Sequence, residues 1–149
     1  EWSNLECPYV KRHYGSNNMQ TTQKFAKSKN VIWITVISSA EGKQGYIQPN
    51  DAVNTFASFG SFPDHILVDE NGDLGKKFNA KTTPHIFIAD KNKNIVYQGA
   101  IDDAGGSRFW TTDLNQSTNF VKKVINDIKS NKPLSVSKTR PYGCSVKYG

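Results

Sequence analysis

The chain has 149 residues, 36% of them hydrophobic, which suits one domain with a core of its own. Its strongest apolar run, at 31–37, falls far short of the roughly 20 residues of a membrane-spanning helix. The net charge of +6 is spread over scattered clusters such as "KRH", "GKK" and "VKK" rather than gathered into a basic stripe, so no nucleic-acid partner is expected.

At the start of the chain, "EWSN" reads as the end of a strand already in progress, with upstream residues removed or not included. Cys7 follows, and Pro8 suits the first turn of a helix, where its missing N–H has no partner to lose. The spacing of Tyr9, Val10, His13, Tyr14, Met19, Phe25 and Ala26 is helical, and Gly15 kinks or splits that helix. The run "VIWITVI" reads as a strand buried on both faces, as in the middle of an α/β sheet. A polar segment follows, then a short helix in "NDAVNTFASFG", with a capping residue and a terminal glycine. "HILVDENGD" predicts a strand and an Asn-Gly turn, and "LGKKFNA" a short helical piece. "TTPHIFIADKNKNIVYQGA" predicts a hairpin around "DKNKN". After the loop "DDAGGSRFWTTDLNQ", the segment "STNFVKKVINDIKSNK" is an amphipathic helix. Ser117 or Thr118 is its expected cap, and Phe120, Val121, Val124, Ile125 and Ile128 share one face. The remainder, 132–149, is an extended, mobile tail that carries Cys144. This order predicts one α/β domain over 1–149, with a central mixed sheet flanked by helices and closed by an antiparallel hairpin.

Cys7 lies between a strand end and a helix N-terminus, whose unpaired N–H groups and partial positive charge favour a thiolate. Lys11, Arg12 and His13 follow within about a turn and a half and add positive potential, which Glu6 opposes. The other reading of Cys7 is a small buried hydrophobe. Pro84, directly before a strand, cannot donate to a ladder, and its peptide bond is a candidate cis bond; the other reading is an ordinary turn proline. Neither cysteine belongs to a CxxC pair, so a structural zinc site is not expected. His13, His65 and His85 would form a metal set with Cys7 only if the fold gathered them, and no metal is expected. Asp102 and Asp103, ahead of two glycines, read as turn residues, and "GGSRFW" lacks the lysine of a phosphate-binding loop.

Taken together, the Cys-Pro junction and the stretch "ILVDENGDLGKKFNAKTTPHIFIADKNKNIVYQGAID" resemble the thioredoxin-like redoxin family. That family includes the alkyl hydroperoxide reductase and thiol-specific antioxidant proteins. "CPYVKRHYG" and the tail "PYGCSVKY" resemble one subgroup of it. The resemblance spans nearly the whole chain and implies a thioredoxin-like fold with part of its N-terminal portion missing. It also implies a thiol oxidoreductase without a cofactor, acting on a disulfide or hydroperoxide with an external thiol as reductant. Members of this type are exported to the bacterial periplasm behind a removed signal, which implies a periplasmic or secreted location and leaves the cytoplasm open.

Residue by residue, Cys7 matches the active-site cysteine and Pro84 the cis-proline that packs against it. Thr83 matches the residue whose backbone pairs with a substrate strand. His85 follows Pro84 and joins Lys11, Arg12 and His13 as a candidate for tuning the thiol. Val10 stands where a CxxC motif keeps its second cysteine, and "SNLE" replaces the proline and threonine that precede the cysteine in efficient peroxidases of the superfamily. Any second sulfur from this protein must then come from Cys144, as a resolving thiol within the chain or across a dimer; otherwise an external thiol completes the cycle. A static bridge to Cys7 and a plain packing role for Cys144 stay open. The alternative function is a catalytically degenerate thioredoxin-like module that binds a protein partner or a metal.

Overall fold

The computed structural model describes residues 1–149 and contains five α-helices and six strands. Helix α1 (Pro8–Gly15) starts on Pro8 and ends at the glycine. Ser16 and Asn17, the latter at φ 63°, then break the chain before α2 (Asn18–Ser28), so Gly15 marks a split rather than a kink. Strand β1 (Ile34–Ile37) is shorter than the apolar run suggested. Thr35, Val36 and Ile37 are buried, whereas Ile32 and Ile34 are 67% and 41% exposed. Two-faced burial thus holds only for the end of that run, where helices cover the sheet. Then come α3 (Ala52–Ser58), β2 (His65–Val68), α4 (Asp73–Phe78) and the short β3 (Thr82–Thr83). Strands β4 (Ile86–Ala89) and β5 (Ile95–Gly99) form the expected hairpin, turned by Asp90, whose Oδ1 accepts from Asn92 N and Asn94 N. Helix α5 (Phe120–Lys129) and β6 (Cys144–Ser145) complete the chain.

β1 runs parallel to β2, and β4 antiparallel to β5. Trp2 joins the two pairs, bridging Val36 in parallel and His85 in antiparallel register. The order is therefore β2, β1, Trp2, β4, β5, a mixed sheet. One face carries Trp33, Ile37, Ile86, Ile88 and Tyr97 into a core with Val10, Met19 and Val124 from α1, α2 and α5. The other packs Trp2, Val36 and Phe87 against Leu74 and Phe78 of α4. Burying side chains of this size contributes roughly 1.5–3 kcal/mol each.

Two expectations need correction. The cap of α5 is Asn119, whose Oδ1 accepts from Lys122 N at 3.0 Å and whose amide donates to Thr22 Oγ1 of α2 at 2.9 Å. Ser117 and Thr118 lie ahead of the helix start, and the Ser117 hydroxyl is buried without a partner. The tail is pinned rather than mobile. Thr139 Oγ1 bonds Tyr97 OH at 2.6 Å and accepts from Ala100 N at 2.9 Å. Further along, Val146 N donates to Lys81 O at 3.1 Å, and Tyr148 OH to Ala80 O at 2.7 Å. Such pairings satisfy tail groups that would otherwise be left to solvent.

Candidate active site

Cys7 is the N-cap residue of α1. Asn4 builds the turn that places it there: its carbonyl accepts from Cys7 N at 3.0 Å and its Oδ1 accepts from Glu6 N at 2.9 Å. The sulfur points inward, is 0% exposed, and as a thiol donates to the Thr83 carbonyl oxygen at 3.3 Å. The Thr83-Pro84 peptide bond beside it is cis.

β6 lies along β3 in antiparallel register, Thr83 opposite Cys144 and Thr82 opposite Ser145. So close an approach needs Gly143, which sits at φ 147°. A Cβ there would collide with the Thr83 carbonyl oxygen. Both cysteines are free, and the pairing of Thr83 with Cys144 brings them close together.

Burial alone pushes the Cys7 thiol up. The polar groups nearest the sulfur, the Cys144 and Thr83 side chains first and then the Val10 and Cys144 amides, outweigh it, and the thiol is held below its ordinary value. Burial, the hydrogen bond to Cys7 and the charge of Cys7 push Cys144 the other way, up to about 11, against a smaller opposing effect of the Tyr9 N–H.

The four residues expected to tune the thiol sit in different surroundings. Lys11 is exposed. Arg12 donates from Nε to Phe109 O at 3.1 Å and from a guanidinium NH2 to Thr112 O at 2.7 Å. Burial first, then Arg12, hold His13 down to about 3. Burial, then the N-terminal ammonium and Lys81, hold His85 at about 4, and its Nδ1 accepts from Lys81 N at 3.1 Å. Both histidines are held neutral at physiological pH. Nearness along α1 does not bring a side chain to the helix N-terminus. The Thr83 edge expected to receive a substrate strand is taken by the chain's own β6. His65 is exposed at the start of β2, and no three His, Cys, Asp or Glu side chains gather as a metal-ligand set. An apolar cleft of about 380 Å³ beside Trp2, Trp33 and Phe87 contains neither cysteine.

Sequence reasoning missed a buried polar cluster next to this site. Asp102 does cap a turn, accepting from Ala104 N at 3.1 Å, but it is 1% exposed and also accepts from Tyr142 OH and from Asn18 Nδ2. The only signal was an acid pair before two glycines, which marks turns in general.

Residues 2–112 match the family model described as Redoxin. Among solved structures, an uncharacterized conserved protein from Geobacillus kaustophilus superposes with a TM-score of 0.82 at 20% identity, over 99% of this chain and 75% of that one. A hypothetical protein from Sinorhizobium meliloti 1021 gives a TM-score of 0.78 at 18% identity, over 99% of this chain and 77% of that one. At this identity the likeness concerns the fold alone, which is thioredoxin-like. No curated protein matches the chain.

Proposed function

The chain belongs to the Redoxin family, whose members act on thiols or peroxides, and from that premise we propose that it is a thiol-dependent oxidoreductase working through Cys7 and Cys144. The observation that carries this reading is geometric: β6 pairs with β3 and sets Cys144 opposite Thr83, beside the buried sulfur of Cys7 at the cap of α1. Cys144 takes the place of the second CxxC cysteine that Val10 lacks.

With a disulfide substrate, the Cys7 thiolate attacks one sulfur and expels the other as a thiolate, which takes up a proton. Cys144, its proton released to solvent, then attacks the Cys7 sulfur of the mixed disulfide and expels the second substrate thiol. With a hydroperoxide, the Cys7 thiolate takes the distal oxygen and the alcohol or water leaves with a proton. Cys144 then condenses with the sulfenic acid, releasing water. Either route oxidises the pair by two electrons to one disulfide, and an external thiol reductant returns it. Thr83 and Pro84 frame the reacting sulfur. A periplasmic or secreted setting would call for a dedicated reductant there.

Non-reduced mass spectrometry with and without hydroperoxide or a model disulfide tests this. The expected product is an intrachain disulfide between Cys7 and Cys144, and Cys7→Ser should abolish turnover in both insulin-reduction and peroxide-consumption assays. Full activity in that variant would overturn the reading. An ordinary thiol pKa at Cys7 with no turnover would instead favour a binding module.

A further inference from the structure

Between the Thr139 anchor and the Tyr148 anchor, the tail must present Cys144 at one point, and the group that fixes it lies two residues earlier. The Tyr142 ring packs over Gly105, where a Cβ would come within 2.6 Å of Cδ1, and against Phe109 at 5.3 Å between ring centroids. Its hydroxyl reaches both Asp102 and His13 Nε2, the latter at 3.2 Å. Asn18 orders the protons. Its amide nitrogen Nδ2 faces His13 Nδ1 at 3.0 Å and Asp102 Oδ2 at 3.3 Å, and that nitrogen can only donate. His13 Nδ1 is therefore the acceptor, and Nε2 carries the proton and donates to Tyr142. Tyr142 then donates to Asp102. Every polar atom of the four side chains that faces the cluster has a partner, in a site where His13 and Asp102 are at most 1% exposed. A fully satisfied buried network is rigid, and a half-satisfied one is costly.

Resting on the reading of Cys7 and Cys144 as a working pair, we propose that Tyr142 is a positioning residue. Its hydroxyl, latched between Asp102 and His13, holds Cys144 against Cys7 and so sets the effective concentration of one thiol at the other. The mobile resolving arm expected from the sequence is replaced by a preset contact, in which the ordering of the tail is complete before oxidation begins.

Equilibration of the full chain in glutathione redox buffers tests this without assuming the natural substrate. Cys7 attacks glutathione disulfide and releases one glutathione. Cys144 then closes the ring and releases the second. Tyr142→Phe keeps the ring packing and removes the latch. The expected result is a closure constant at least about tenfold lower, which corresponds to a midpoint about 30 mV less reducing. Accumulation of the Cys7–glutathione mixed disulfide should accompany it. Closure at the wild-type constant without that intermediate would overturn the proposal. Because this variant leaves the Asp102 carboxylate short of a donor and the His13 Nε2–H short of an acceptor, its reduced form is first shown to unfold in one cooperative transition, and closure is measured well below that transition. Wild-type closure in the folded variant overturns the proposal. A wild-type chain that forms no disulfide between Cys7 and Cys144 in any buffer would instead remove the working pair itself, and the proposal with it.

Discussion

A thiolate buried at Cys7 has lost its water, so only donors aimed at the sulfur can make the charged form the favoured one. The groups near enough to favour that charge are the Cys144 thiol and Thr83 hydroxyl, then the Val10 and Cys144 amides. The Thr83 hydroxyl is the informative one. It is buried and has no ordinary acceptor, yet it lowers the Cys7 thiol. A thiol sulfur accepts weakly and a thiolate accepts strongly, so this hydroxyl rewards ionisation specifically. A hydrogen bond to a charged group contributes about 1.5–3 kcal/mol, where 1.36 kcal/mol is a factor of ten. Thr83→Val should therefore slow iodoacetamide alkylation of Cys7 at neutral pH about tenfold and move the pH profile of that reaction upward. Thr83→Ser should restore most of the rate. An unchanged profile in the valine variant would show that the backbone donors suffice.

At the scale of elements, local pattern and local chemistry had different success. The amphipathic stripe of α5 was readable because five apolar residues repeat at helical spacing and three of them, Val121, Val124 and Ile125, are buried. Its cap was misplaced because Ser, Thr and Asn all suit that position, and only the packing of α5 on α2 selects Asn119, which bonds Thr22 as well as Lys122. Asn119→Ala should cost about 1–2 kcal/mol in denaturant unfolding. Ser117→Ala should cost nothing or stabilise slightly, because it removes a buried hydroxyl that has no partner. The reverse ranking would return the cap to Ser117. The strand β6 was not readable at all: two residues have no period, and their pairing partner at Thr82–Thr83 lies far away in the sequence.

At the scale of the molecule, the fold brings the first helix and the last strand together and seals polar groups between them. His13 and His85 stay neutral in the folded chain, near 3 and 4, whereas an unfolded histidine titrates at about 6.5. Folded values below unfolded ones mean that the unfolded chain binds more protons. Stability is then complete above about pH 6.5 and is lost as pH falls toward 4 and 3. Asp69, whose carboxyl is held below its usual range by Ser38 and the α4 amides despite burial, adds its own loss only at lower pH. Thermal unfolding between pH 7 and 5 should thus show a steady fall in melting temperature, with about 2 kcal/mol lost at pH 5 from His13 alone. A flat curve across that window would mean that His13 carries a proton in the folded state, which its contacts with Arg12 and the Asn18 amide oppose. The alternation of helix and strand, the closing hairpin and the placing of Cys7 at a helix start were all legible along the chain, because each follows from spacing over a few residues. Cys144 could be named as a partner for Cys7 only because the chain has no other cysteine, and the meeting of Tyr142 with Asp102 and His13 was not legible at all. Those contacts join residues far apart along the chain, and only the assembled sheet, with the tail paired along β3, brings them together.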